Sequence, residues 1–97
     1  MVSWTDHAVR QVRQIHDWIA QDSPIYARRV AEGLVKRTTG LDELPRKGKM
    51  VPELNDDSVR EIPQYSYRVI YNIKSPDVEI LAVIHKRRDA QPHDIYS

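Results

Sequence analysis

The chain has 97 residues, with 15 Lys and Arg against 14 Asp and Glu, no cysteine, no phenylalanine and 30% charged side chains. That length suits one domain, burying roughly two-thirds of the surface that the unfolded chain exposes. The lack of cysteine excludes a disulfide scaffold, thiol catalysis and thiolate zinc sites, and a net charge of +1 gives no bulk attraction to nucleic acid or membrane.

Met1–Trp4 reads as a short strand, followed by an amphipathic helix. Thr5 is placed to cap it and Asp6 suits the positive end of its dipole. Ala8, Val12, Ile15 and Ile19 recur at helical spacing and form one apolar stripe. Asp22-Ser23-Pro24 ends this helix and opens a second, with Ser23 as cap and Pro24 at the first position, where its missing N–H costs nothing. The second stripe is Ala27, Val30, Ala31, Leu34, Thr38 and Leu41, and so short a link predicts an antiparallel helical hairpin. Trp18 and Tyr26 are expected to be core or staple residues of that hairpin.

Pro45 to Asp57 carries two prolines, a glycine and mixed charge, and reads as an ordered surface loop. The period then falls to two. Strands are predicted over Ser58–Pro63, Tyr67–Ile73 and Val78–His85, the last two joined through Lys74-Ser75-Pro76-Asp77. A basic tail, Lys86–Ser97, follows. The order is βααβββ, an α+β plan with the helical hairpin packed on one face of a small antiparallel sheet.

Strand parity places Tyr67, Val69, Tyr71 and Ile73 on one face and Arg68, Ile70 and Asn72 on the other. The last strand is apolar on both faces, so it should be central. One hairpin covers one face, and Ile70, Leu81 and Val83 are expected on the other. That face is either a shallow second core under the loop and tail or a docking groove for a partner chain. Arg68 projects from it, with Arg60 and the Arg87 position nearby, so convergent guanidinium groups could grip phosphate. Alternatively Glu53, Glu61, Glu79 and Asp89 neutralise them. His7, His16, His85 and His93 form no metal-ligand pair, and no phosphate-binding glycine loop is present, so no metal or cofactor is expected. No run approaches the ~20 apolar residues of a membrane span and the N-terminus has no signal-like apolar stretch, so a cytoplasmic chain is expected.

The chain resembles the ParE/RelE toxin superfamily of type II toxin–antitoxin modules. The resemblance rests on Trp4-Thr5, Asp22-Ser23-Pro24 with Ala27, Leu44-Pro45, Gly48 and Val51-Pro52-Glu53-Leu54. It continues through Arg60-Glu61, Tyr67-Arg68-Val69-Ile70-Tyr71, Ile80-Leu81 and His85-Lys86-Arg87-Arg88. It implies the fold read above and a cognate antitoxin that wraps the toxin. The ParE-like branch implies inhibition of DNA gyrase by a protein that is not itself an enzyme. On that reading Arg60, Arg68, Arg87 and Arg88 are target-binding candidates, with Ile70, Leu81, Val83 and the hairpin for the antitoxin. The RelE-like branch implies a ribosome-dependent mRNA endonuclease. There Arg68, Arg87 and Tyr96 would share the catalytic roles of cation, cation and acid–base group. The lysine pair of that branch is not clearly matched by Lys47 and Lys49, and Tyr96 lies farther from Arg87 than its pattern has it.

Overall fold

A computed structural model describes residues 1–96; Ser97, the end of the predicted basic tail, lies outside the described residues. The elements run β1 (Val2–Trp4), α1 (Asp6–Ala20), α2 (Pro24–Arg37), β2 (Lys49–Met50), β3 (Val59–Gln64), β4 (Tyr67–Lys74), β5 (Asp77–His85) and α3 (Pro92–Ile95), with a 3₁₀ turn over Pro45–Lys47. Both long helices start as their sequences predict. Thr5 accepts from the Ala8 amide and Ser23 from the Tyr26 amide, each quieting one orphan donor.

The five strands are ordered β1-β5-β4-β3-β2. All neighbours are antiparallel except β1, which pairs parallel with β5 through Val2↔Val78 and Trp4↔Ile80. β5 and β4 are therefore central and β2 is a two-residue edge. Leu41, predicted on the second helical stripe, is buried in the turns after α2.

The helical hairpin packs on one face over a core of Leu34, Val30, Val69, Tyr71, Ile80 and Val83. The opposite face has its own core, in which Val51 and Leu54 of the loop and Ala90 and Ile95 of the tail cover Val59, Ile70, Leu81, Ala82 and Ile84. Of the two readings of that face, the second core is the one found. This corrects the placement of Ile70, Leu81 and Val83 on an open groove, because all three are at most 4% exposed. Val83 is also on the other side of the sheet. A bulge shifts the register, so that Ile70 pairs with Ala82 but Tyr71 with Ile80, leaving Leu81 as the extra residue. Parity counted from Leu81 inverts beyond it.

Side chains cap the neighbouring strands where the short edge strands β1 and β2 end. Where β1 ends, the Gln11 side chain accepts from the Val83 amide at 2.7 Å and the Thr5 hydroxyl donates to the Leu81 carbonyl at 3.2 Å. The Asp94 carbonyl takes the Gln11 amide at 2.9 Å and lies 2.7 Å from His7 Nε2, which ties α3 to α1. Beyond β2, Pro63 offers no N–H and its carbonyl accepts from Arg37 Nε at 3.2 Å.

Candidate functional site

A hollow of about 590 Å³ lies where the β3–β4 turn, the loop around Lys49–Glu53 and the Lys86–Asp89 segment meet. Arg68 forms its floor. β4 alternation aims this side chain away from the helices, toward the side on which the loop and tail close. All five guanidinium donors are used. Nε and Nη2 reach the two oxygens of Glu61 at 2.7 and 2.8 Å, and Nη1 and Nη2 reach those of Glu53 at 2.7 Å each. The fifth bond goes from Nη1 to the Arg88 carbonyl at 2.9 Å. Glu53 also accepts from the Ala90 amide at 2.7 Å.

One side chain thus pins the loop, β3 and the tail together. Bidentate hydrogen bonding to Arg68 brings the Glu53 carboxyl down to about 2, against the opposition of burial, and raises the Arg68 guanidinium further. Two carboxylates against one guanidinium leave one net negative charge on the floor. Lys49, Lys86 and Arg87 stand on the rim above it.

The other predicted target-binding residues scatter. Arg60 is 14% exposed at its side chain and holds Asp57, at 2.6 Å to a carboxylate oxygen and 3.0 Å to the carbonyl, so it braces the loop. Arg88 pairs with Asp94 at 2.8 Å. Burial works against ionisation of Asp94, but the Gln91 amide and Arg88 outweigh it and its pKa falls. Arg87 is exposed and has no ion-pair partner among the described residues.

Arg68 and Arg87 meet in the main hollow, whereas Tyr96 lines a separate one with Thr5, His7 and Asn72. The three candidate catalytic side chains are therefore not brought together. Arg68 is also unavailable to a phosphate, because a bound anion would have to displace two carboxylates that hold it bidentately.

Sequence reasoning missed two features. Trp18 is 71% exposed and Tyr26 54%, alongside Ile25 at 73%, so the hairpin tip is an apolar surface and not a core staple. Tyr65, at a left-handed φ of 56°, rests its hydroxyl end against Gly33 and remains half exposed. Among the described residues, no group of three or more His, Asp or Glu could hold a metal ion, and no helix is long and apolar enough to cross a membrane.

A family described as the ParE toxin of the type II toxin–antitoxin system parDE matches residues 2–90. A Sinorhizobium fredii chain that carries a toxin name, Y4kP, is 33% identical over 87% of this chain and 85% of its own. Toxin RelE2 of Caulobacter vibrioides is 31% identical over 90% of this chain and 96% of its own. A solved structure of a chromosomal ParDE system from P. aeruginosa superposes with a TM-score of 0.70, over 87% of this chain and 92% of that one, at 18% identity.

Proposed function

The chain belongs to the ParE toxin family of type II toxin–antitoxin systems, and we propose that it inhibits DNA gyrase through protein–protein contact and is silenced by a cognate antitoxin. The observation that carries this reading is the family match over residues 2–90, which includes both long helices, all five strands and the main hollow. The geometry supports it over cleavage of RNA. A nuclease needs a cation free to meet developing charge and an acid near the leaving oxygen. Here Arg68 is saturated, and although Arg87 is exposed, the acid–base candidate Tyr96 is in another hollow.

With Ile70, Leu81 and Val83 buried, we place the antitoxin on a different surface. The exposed hairpin tip, with Trp18, Ile25 and Tyr26, supports a docking site of the apolar, aromatic kind that dominates interfaces.

The similarity to a protein named RelE2 favours one second reading, ribosome-dependent mRNA cleavage, and a paired assay separates the two. Purified chain is added to gyrase with relaxed plasmid, and in parallel to ribosomes programmed with a message. Loss of supercoiling with intact message is expected, and cuts in the message at the ribosomal A site would overturn the gyrase reading. Added antitoxin should restore supercoiling to wild type but need at least ~10-fold more protein against Trp18→Ala/Ile25→Ala, since losing two buried anchors costs ≥ ~1.4 kcal/mol. Equal titres would place the antitoxin elsewhere.

A further inference from the structure

Six of the fifteen basic side chains are ion-paired among the described residues: Arg28, Arg46, Arg60, Arg68, Lys74 and Arg88. Three of the four arginines expected to meet a target, Arg60, Arg68 and Arg88, are thereby taken. Elsewhere three cations without such a partner converge. A hollow of about 410 Å³ is lined by Lys36, Arg37 and Lys47 with Thr39, Gln64 and Tyr65, and contains no acidic side chain. Lys36 and Arg37 close the last turn of α2, where cations suit the helix dipole. The dipole does not account for Lys47, which the 3₁₀ turn brings to the same place. Arg37 is held there by its Nε, which donates to the Pro63 carbonyl at 3.2 Å, while Nη1 and Nη2 have no partner among the described residues. Tyr65 rests its hydroxyl end against Gly33 and leaves its ring half exposed at the edge of the hollow.

We propose that this hollow is the surface by which the toxin grips its target, and that it takes a short acidic segment of that protein, gyrase on the reading above. The inference rests on that reading and adds the contact surface to it. The free edge of Arg37 suits one carboxylate bidentately, and Lys36 and Lys47 suit its neighbours as mobile point charges. The Tyr65 ring supplies an aromatic anchor beside them. Thr39 and Gln64 offer neutral donors and acceptors to the backbone between. The surroundings favour a short protein segment over nucleic acid. Lys47 leads on to Glu43, and Tyr65 leads on to the main hollow with Asp89 and a floor of net negative charge. A continuous phosphodiester strand would run from the cations onto carboxylates in both directions, whereas a short acidic segment ends where the cations end. Position separates this surface from the apolar tip. Ile25 and Tyr26 of the tip open α2 and the hollow closes it, about 20 Å away along a 14-residue helix. The antitoxin on the tip and the target in the hollow therefore use different residues.

The test uses the full chain, gyrase and relaxed plasmid, with binding to immobilised gyrase measured separately in the absence of DNA. Lys36→Glu/Lys47→Glu changes two exposed side chains and should leave the urea midpoint unchanged. Inhibition of supercoiling and DNA-free binding should both weaken at least about tenfold, mostly through the association rate. Lys36→Gln/Lys47→Gln should fall between that pair and wild type, and it carries the same comparison if the reversed pair is less stable. Raising salt from about 0.05 to about 0.3 M should weaken wild type and narrow its gap to the reversed pair. Arg10→Glu/Arg13→Glu, exposed groups of α1 outside the hollow, should act as wild type. The antitoxin should bind the reversed pair as tightly as wild type. A wild-type chain that leaves supercoiling intact overturns the gyrase reading and this inference with it. With wild type active, unchanged inhibition by the reversed pair overturns the inference alone. So does a loss seen only when DNA is present, which would make the ligand a phosphate. An equal loss of antitoxin affinity also overturns it, by making the hollow part of the antitoxin site.

Discussion

At the scale of single residues, Arg68 carries the most consequence. Parity and flanking residues mark it in the sequence as a group to watch, and Glu53 and Glu61 are legible there as possible partners. What the sequence does not give is that both carboxylates close on the same guanidinium, since they lie 15 and 7 residues away and reach it only after the loop folds back. The consequence is a structural role. Arg68→Ala would leave two carboxylates in a largely buried site without a counter-ion, so a loss of about 3–5 kcal/mol in urea unfolding is expected. The pH dependence has a definite sign. The Glu53 carboxyl is depressed from its ordinary value near 4.5 to about 2. Its stabilising contribution is therefore complete above about pH 4.5 and disappears as pH falls through 2. Its side chain is 23% exposed, and with solvent screening the contribution is on the order of 1–2 kcal/mol. Unfolding curves at pH 6 and pH 2.5 should show a gap between wild type and Glu53→Gln that narrows strongly in acid. A constant gap would mean that Glu53 acts through shape and not through charge.

At the scale of elements, the long pieces are legible and, of the short ones, β2 and α3 are not. α1, α2, β4 and β5 each supply enough turns or alternations for a period to emerge. β2 has two residues and α3 four, too few for any period, and both are held by tertiary contacts. β2 owes its place to Gly48. The Tyr71 hydroxyl donates to the Pro45 carbonyl at 2.7 Å and accepts from the Gly48 amide at 2.9 Å, pulling the chain against β3. A Cβ on Gly48 would sit 2.5 Å from the Glu61 carbonyl oxygen and 2.6 Å from the Tyr71 hydroxyl, and the first of these is backbone. Gly48→Ala should therefore cost at least about 2 kcal/mol and free the loop. Gly33 meets only the far end of Tyr65, a half-exposed ring that can swing away. Gly33→Ala should change stability by less than about 1 kcal/mol, with helix propensity offsetting the displaced ring. Equal losses in thermal unfolding would show that the two contacts have been ranked wrongly. The bulge at Leu81 belongs to this scale too. One extra residue reverses parity, and nothing in Ile80-Leu81-Ala82-Val83 announces which of four apolar residues is the odd one.

At the scale of the molecule, the near-balance of charge and the small size acquire a structural meaning. Net charge is a sum over the whole surface, so it could not reveal that Lys36, Arg37 and Lys47 share one hollow without an acidic side chain. Size forces the tail to act as a second layer. Two helices cover one face of a five-stranded sheet, and the only chain left for the other is the loop and the segment after β5. Truncation after Arg88 keeps the basic side chains Lys86, Arg87 and Arg88 but removes Ala90, Ile95 and the Asp94 carbonyl that anchors α1. Burying an isoleucine stabilises by about 1.5–3 kcal/mol. The Ala90 amide on Glu53 and the Asp94 link add about 1 kcal/mol each. A loss of roughly 3.5–5 kcal/mol is expected, a large share of the roughly 5–15 kcal/mol that holds a domain of this class. The truncated chain should unfold at lower urea and bind a hydrophobic dye through the uncovered Ile70, Leu81 and Ile84. Any loss of toxicity on truncation would then follow from folding. Ile95→Ala isolates that effect, because it opens the same core while leaving every charged group in place. If Ile95→Ala is destabilised by about 2–3 kcal/mol yet remains as toxic as wild type below its unfolding temperature, the tail is a cover for the sheet and the contact with the target lies elsewhere.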